Sequence, residues 1–175
     1  LLVNLEISTN HEMIKKALKI KPNFVCIVPE KRSEITTEGG LNLHKNKNFL
    51  KKMIKKLKKK NIRVSLFIEP KISDAKFSKK LGADCVELHT GKFCNLVNSN
   101  KNIKKEFFKI KKTAELAKKI LLDVHAGHGL NYKSTKILTK IKNISEFNIG
   151  HFIISESIFI GFKKVILKFK KIING

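Results

Sequence analysis

The sequence predicts an α/β fold built from parallel β/α units, on three observations. Short apolar, β-branched runs alternate with longer stretches of helical period. The runs are apolar almost throughout, as strands covered on both sheet faces are. Small or reactive polar residues gather at one end of the runs, the C-terminal end.

In chain order, the first run is Leu2–Ile7 (LVNLEI), followed by a helical stretch at His11–Ile20. Pro22 punctuates the approach to the second run, Phe24–Val28 (FVCIV). A long, glycine-ended loop from Pro29 to Leu41 follows, a candidate lid. In the next stretch, Lys47–Lys60, Leu50, Met53, Ile54 and Leu57 fall at i, i+3, i+4 and i+7 and make one helical stripe, with lysines on the remaining surface. The third run, Val64–Ile68, leads to a helix at Ser73–Leu81, which Gly82 closes. Cys85–Leu88 and Ile120–Val124 are the fourth and fifth runs, separated by a helix at Ile103–Lys119. A helix at Ser134–Ile141, a sixth run at Ile144–Ile149, a short helical stretch at Phe152–Ser157 and a last helix at Phe159–Ile173 complete the series. No Ser/Pro-rich linker interrupts it, so residues 1–175 read as one domain.

Composition narrows the function. The chain carries 38 Lys+Arg against 14 Asp+Glu, a formal net charge of +24. Such a balance raises nucleic-acid binding, but the lysines spread along the whole length on the polar faces of helices. With 12 Phe, one Tyr and no Trp, and most Phe inside apolar runs, the stacking aromatics of a nucleic-acid surface are lacking. The excess of Lys, Asn, Ile and Phe is also what AT-rich codons impose. No apolar run approaches the ~18 residues of a membrane-spanning helix, so no membrane partner is expected. Three cysteines without a C-x-x-C pair (Cys26, Cys85, Cys94) fit a reducing, cytoplasmic setting and argue against a disulfide framework or zinc ribbon. The opening Leu-Leu-Val-Asn-Leu-Glu-Ile has no basic flank or cleavage site, and beginning on a strand without Met it reads as the start of a fragment.

The polar series at the run ends is Glu6, Pro29-Glu30-Lys31-Arg32, Glu69, Glu87-Leu88-His89-Thr90-Gly91, His125-Ala126-Gly127-His128-Gly129 and Asn148-Ile149-Gly150-His151. It takes in four of the six histidines, and in a β/α barrel this is the catalytic face. Glycines around His125 and His128 allow a ligand to approach the backbone, with imidazoles as acid, base or phosphate donor; the plainer reading is a polar turn with solvated rings. His-x-x-His on an extended segment lacks the i, i+4 face of a zincin helix, and no metal is expected. Gly150-His151 opening a helix is a phosphate cradle or an ordinary βα turn. Glu6 and Glu87, carboxylates within apolar runs, are either functional or paired with a neighbouring cation.

Five of these segments, PEKRSEITTEGGL, VSLFIEP, VELHTG, AGHGLNY and NIGHFII, stand in one order and together resemble pyridoxine 5′-phosphate synthases. The resemblance covers nearly the whole chain. It implies a TIM (β/α)8-type barrel, assembling into homo-oligomers (octamers in the family), that needs no metal or organic cofactor. It also implies a reaction: 1-deoxy-D-xylulose 5-phosphate condenses with 3-amino-1-hydroxyacetone phosphate to give pyridoxine 5′-phosphate, phosphate and water. Carried over by motif, Glu6 matches a general acid/base, His128 the proton-donating histidine and Glu87 a transition-state stabiliser. Thr36 matches a contact to the deoxyxylulose phosphate, and Gly129, Gly150 and His151 match contacts to the aminoacetone phosphate.

Two departures accompany the resemblance. The family's first two β/α units, roughly 60 residues at barrel averages, have no counterpart, so only strands three to eight of the barrel are expected, with open edges. On that reading the chain by itself is inactive or poorly folded. The family also usually has Asn where this chain has His125. The alternative readings are another phosphate-binding β/α-barrel isomerase or lyase, a basic nucleic-acid-binding module, and an inactive gene fragment. Against an aldolase, no Lys lies within an inward-facing strand as a Schiff-base candidate.

Overall fold

A computed structural model describes residues 1–29, 39–45 and 47–175. The elements, in order, are β1 (Asn4–Ser8), α1 (His11–Ile20), β2 (Phe24–Val28), α2 (Lys47–Lys58), β3 (Arg63–Ile68), α3 (Ile72–Leu81), β4 (Cys85–His89), α4 (Gly91–Asn98), α5 (Lys104–Lys119), β5 (Asp123–Gly127), α6 (Tyr132–Leu138), β6 (Glu146–Asn148), α7 (His151–Ile160) and α8 (Phe162–Asn174). Local chemistry sets several boundaries. Asn10 caps α1 by accepting the Met13 N–H at 2.9 Å, and Lys21 ends that helix in the left-handed region. Asn131 and Ser134 form a reciprocal capping box at the start of α6. The stripe Leu50, Met53, Ile54 and Leu57 is wholly buried, as its spacing predicts.

All six strands are parallel and lie side by side in sequence order, β1 to β6. The order never reverses. Right-handed crossovers running in one direction place the connecting helices on one face, where residues of α1 to α6 share one core, so the sheet curls as part of a β/α barrel instead of a doubly wound layer. Among the described residues, β1 pairs only with β2 and β6 only with β5, leaving a six-stranded half-barrel with two free edges.

Alternation along the strands separates the two faces. Ile7, Val25, Ile27, Val64, Leu66, Ile68, Val86, Leu88, Val124 and Ala126 point outward and join Ala17, Leu50, Ile54, Ala75, Ala114 and Leu138 of the helices in one core. On the concave face Glu6, Cys26, Ser65 and Cys85 share one row, and Phe67, Glu87, His125 and Glu146 share another. The N-terminal strand ends carry an ion-pair belt: Arg63 contacts Asp123, Lys118 reaches Asp123 at 3.2 Å, and Lys58 reaches Asp84 at 2.6 Å. A cavity of about 510 Å³ opens among these paired charges and contains none of the candidate residues.

Three elements differ from the sequence expectation. The fifth strand is Asp123–Gly127, not Ile120–Val124, because Ile120 caps α5 and Leu121 turns the chain at φ 59°. That shift places His125 within the strand. Helix α4 was not expected, since Gly91, Asn95 and Asn98 resemble a loop; Phe93, Cys94 and Val97 bury its inner side. The break between the two C-terminal helices falls at Gly161, at φ 84°, and not at Ile158, so Phe159 and Ile160 belong to α7.

Candidate active site

Glu87 lies at the centre of the concave face, in register with Phe67 and His125, and is 3% exposed. Asn148 at the end of β6 donates to its Oε2 at 2.6 Å, and the Cys26 thiol on β2 donates to the same oxygen at 3.4 Å. Burial pushes the Glu87 carboxyl up to about 7, against the lowering effect of those two donors and reinforced by the charges of Glu6 and Glu146. Burial, helped by the neighbouring Glu87, raises the Cys26 thiol well above its ordinary value, so it remains a donor. A Cβ on Gly127 would lie 1.9 Å from Glu87 Oε1, so only glycine leaves the carboxyl its place.

Glu6 occupies the concave side of β1, opposite Cys26 in register. It is exposed, because the half-barrel is open at this edge. His125, one step along the row from Glu87, is 4% exposed, with Nδ1 3.7 Å from Glu146 Oε1. Burial lowers the affinity of its ring for a second proton, and the Glu146 charge opposes that.

His128 follows β5 and is exposed at the C-terminal end of the strands, in the left-handed region with φ 75°; Gly129 continues at φ 76°. Thr90 straps this turn: its hydroxyl lies 2.8 Å from the Gly127 carbonyl oxygen and 2.8 Å from that of His128, and its N–H donates to Gly127 at 2.9 Å. A non-glycine residue held at positive φ by buried hydrogen bonds is a common active-site arrangement. The His128 ring centroid is 4.9 Å from that of His89. A Cβ on Gly91 would stand 2.9 Å from both His128 Cδ2 and His89 Nε2, so glycine lets the two rings and the backbone meet.

Gly150 is the N-cap of α7 and His151 its first residue; both are exposed, and among the described residues no side chain caps the helix start. Thr36, with the PEKRSEITTEGGL loop from Glu30 to Glu38, lies outside the described residues. The sequence reading gave no role to Cys26 and Thr90. Cys26 is identifiable only from strand register, whereas Thr90 stood in the polar series beside His89.

The whole chain, residues 1–175, matches the family described as pyridoxal phosphate biosynthesis protein PdxJ. It is 60% identical over 174 residues to the pyridoxine 5′-phosphate synthase of Pelagibacter ubique (strain HTCC1062), covering 99% of this chain and 73% of the relative. It is 48% identical over 171 residues to that of Ehrlichia canis (strain Jake), and 46% identical over 171 residues to that of Sulfurihydrogenibium sp. (strain YO3AOP1). In both cases the match covers 98% of this chain and 70% of the relative. A six-stranded parallel β/α half-barrel with carboxylates and histidines on its concave face and C-terminal rim, matched over its full length, belongs to the PdxJ family of pyridoxal phosphate biosynthesis proteins.

Proposed function

We propose that this chain serves the pyridoxine 5′-phosphate synthase reaction as part of its full-length gene product, condensing 1-deoxy-D-xylulose 5-phosphate with 3-amino-1-hydroxyacetone phosphate. The 60% identity to a protein of that name, over nearly the whole chain, carries the reading. Imine formation, dehydrations and ring closure are successive proton transfers, and groups that exchange protons near neutral pH serve them best. Glu87, at about 7, suits developing positive charge on a buried intermediate. His128 is the proton donor and Glu6 the general acid/base. Gly129, Gly150 and His151 receive the aminoacetone phosphate. The open N–H groups at the start of α7, with no acidic residue in its first turn, favour an anion there. Thr36 contacts the other phosphate.

The working enzyme is a cytoplasmic homo-oligomer. The buried, unpaired thiols Cys26, Cys85 and Cys94 suit a reducing compartment, and among the described residues no helix is long and apolar enough to cross a membrane. The test is to mix the full-length gene product with both phosphorylated substrates and follow pyridoxine 5′-phosphate by fluorescence. Product that disappears in His128→Ala supports the reading. A folded protein that forms none overturns it.

A further inference from the structure

We propose that Glu69 and His89 act as a carboxylate–imidazole pair that positions His128 for proton transfer; this rests on the proton-donor role given to His128 above. Glu69 follows β3 and His89 ends β4, so adjacent parallel strands deliver the two side chains to the same rim. Glu69 Oε1 lies 3.2 Å from His89 Nδ1 and also accepts the Gly40 N–H at 3.0 Å. Gly40 can come so close only without a side chain, since a Cβ there would stand 2.3 Å from the Glu69 backbone nitrogen. The carboxyl of Glu69 is held below its usual range chiefly by the hydrogen bond from His89.

A carboxylate on one imidazole nitrogen fixes both ring orientation and tautomer: Nδ1 carries the proton, and in the neutral ring Nε2 keeps its lone pair. In His89 that Nε2 is buried and, among the described residues, has no hydrogen-bond partner. The side chain is 4% exposed, held edge-on by Phe67 at 5.2 Å and tilted at 46° against the His128 ring. Buried polar atoms are nearly always satisfied, and an orphan kept beside an exposed reactive ring points to a task that satisfaction would defeat. Its position constrains the orientation of His128, whose backbone Thr90 already secures. His128 touches substrate, and the pair acts through it.

The experiment compares wild type with Glu69→Gln, Glu69→Asp and His89→Asn in the full-length gene product. Side-chain nitrogen NMR of the free protein reads the His89 tautomer and the His128 ring resonances, and steady-state kinetics reads kcat and KM. Wild-type His89 is expected in the Nδ1–H form, and the His128 ring resonances are expected to move in both Glu69→Gln and His89→Asn. In Glu69→Gln and in His89→Asn, which retains donation to Glu69 but lacks Nε2, kcat is expected to fall about tenfold with KM within about twofold. Glu69→Asp, which keeps the charge, recovers part of that loss. An Nε2–H tautomer in wild type, or His128 ring resonances unmoved in both Glu69→Gln and His89→Asn, overturns the proposal even if melting temperature falls. If wild type turns over no substrate, the functional reading fails, while the tautomer and the His128 ring resonances still decide whether the pair positions His128.

Discussion

Asn148 donates its side-chain amide to Glu87 Oε2 at 2.6 Å, joining β6 to β4 across 61 residues of chain. Burial nevertheless raises the carboxyl from 4.5 to about 7. Between those values an unfolded chain releases a proton that the native one retains, so this contribution to stability is full below about 4.5 and is lost as pH rises to about 7. Glu87→Gln should therefore gain on wild type as pH increases, by about 3 kcal/mol between pH 4.5 and 8. Urea melts of both proteins across that range check it, and a constant difference would refute it. Turnover should fall in the same variant.

Gly127→Ala drives a methyl group into Glu87 Oε1, 1.9 Å from the ideal Cβ position. The struck atom is the end of a side chain, so the fold survives, with a cost of about 1–2 kcal/mol. The carboxyl must leave Asn148, however. Turnover should drop at least about tenfold, together with the pH-dependent stability just described.

At His128, φ 75° disfavours any side chain with a Cβ. His128→Gly should melt higher than His128→Ala, by about 1 kcal/mol. Neither variant should form product. Paired melts and assays separate backbone strain from chemistry.

Thr90 is fully buried, and its hydroxyl serves the turn that presents His128. Thr90→Val preserves shape and removes the hydroxyl, at a cost of about 1–3 kcal/mol. Turnover should fall through kcat, and Thr90→Ser should recover most of it. Equal turnover in Thr90→Val and wild type would show that the strap is dispensable.

Much of this was legible in the sequence because it is local. The alternation of apolar runs with helical stripes identified the strands and most helices, and the polar series marked the rim where His89, His128, Gly150 and His151 stand. Errors arose where local pattern and three-dimensional environment disagree. Ile120-Leu121-Leu122 has strand composition, but its first two residues finish a helix and turn the chain. Gly91-Lys92-Phe93-Cys94 begins like a loop, yet is helical because Phe93 and Cys94 find a core.

The sequence by itself determined that six parallel strands carry their chemistry at their C-terminal ends, since hydrophobic period and residue type depend on near neighbours. Only the tertiary structure decided which groups act on one another. That Cys26, Asn148 and Gly127 surround Glu87 and that Glu69 meets His89 follow from strand register and sheet curvature, and Glu6 stands exposed at the open edge of the half-barrel while Glu87 is buried. The proton affinity of Glu87 depends on the water excluded around it, and many residues distant along the chain exclude that water together.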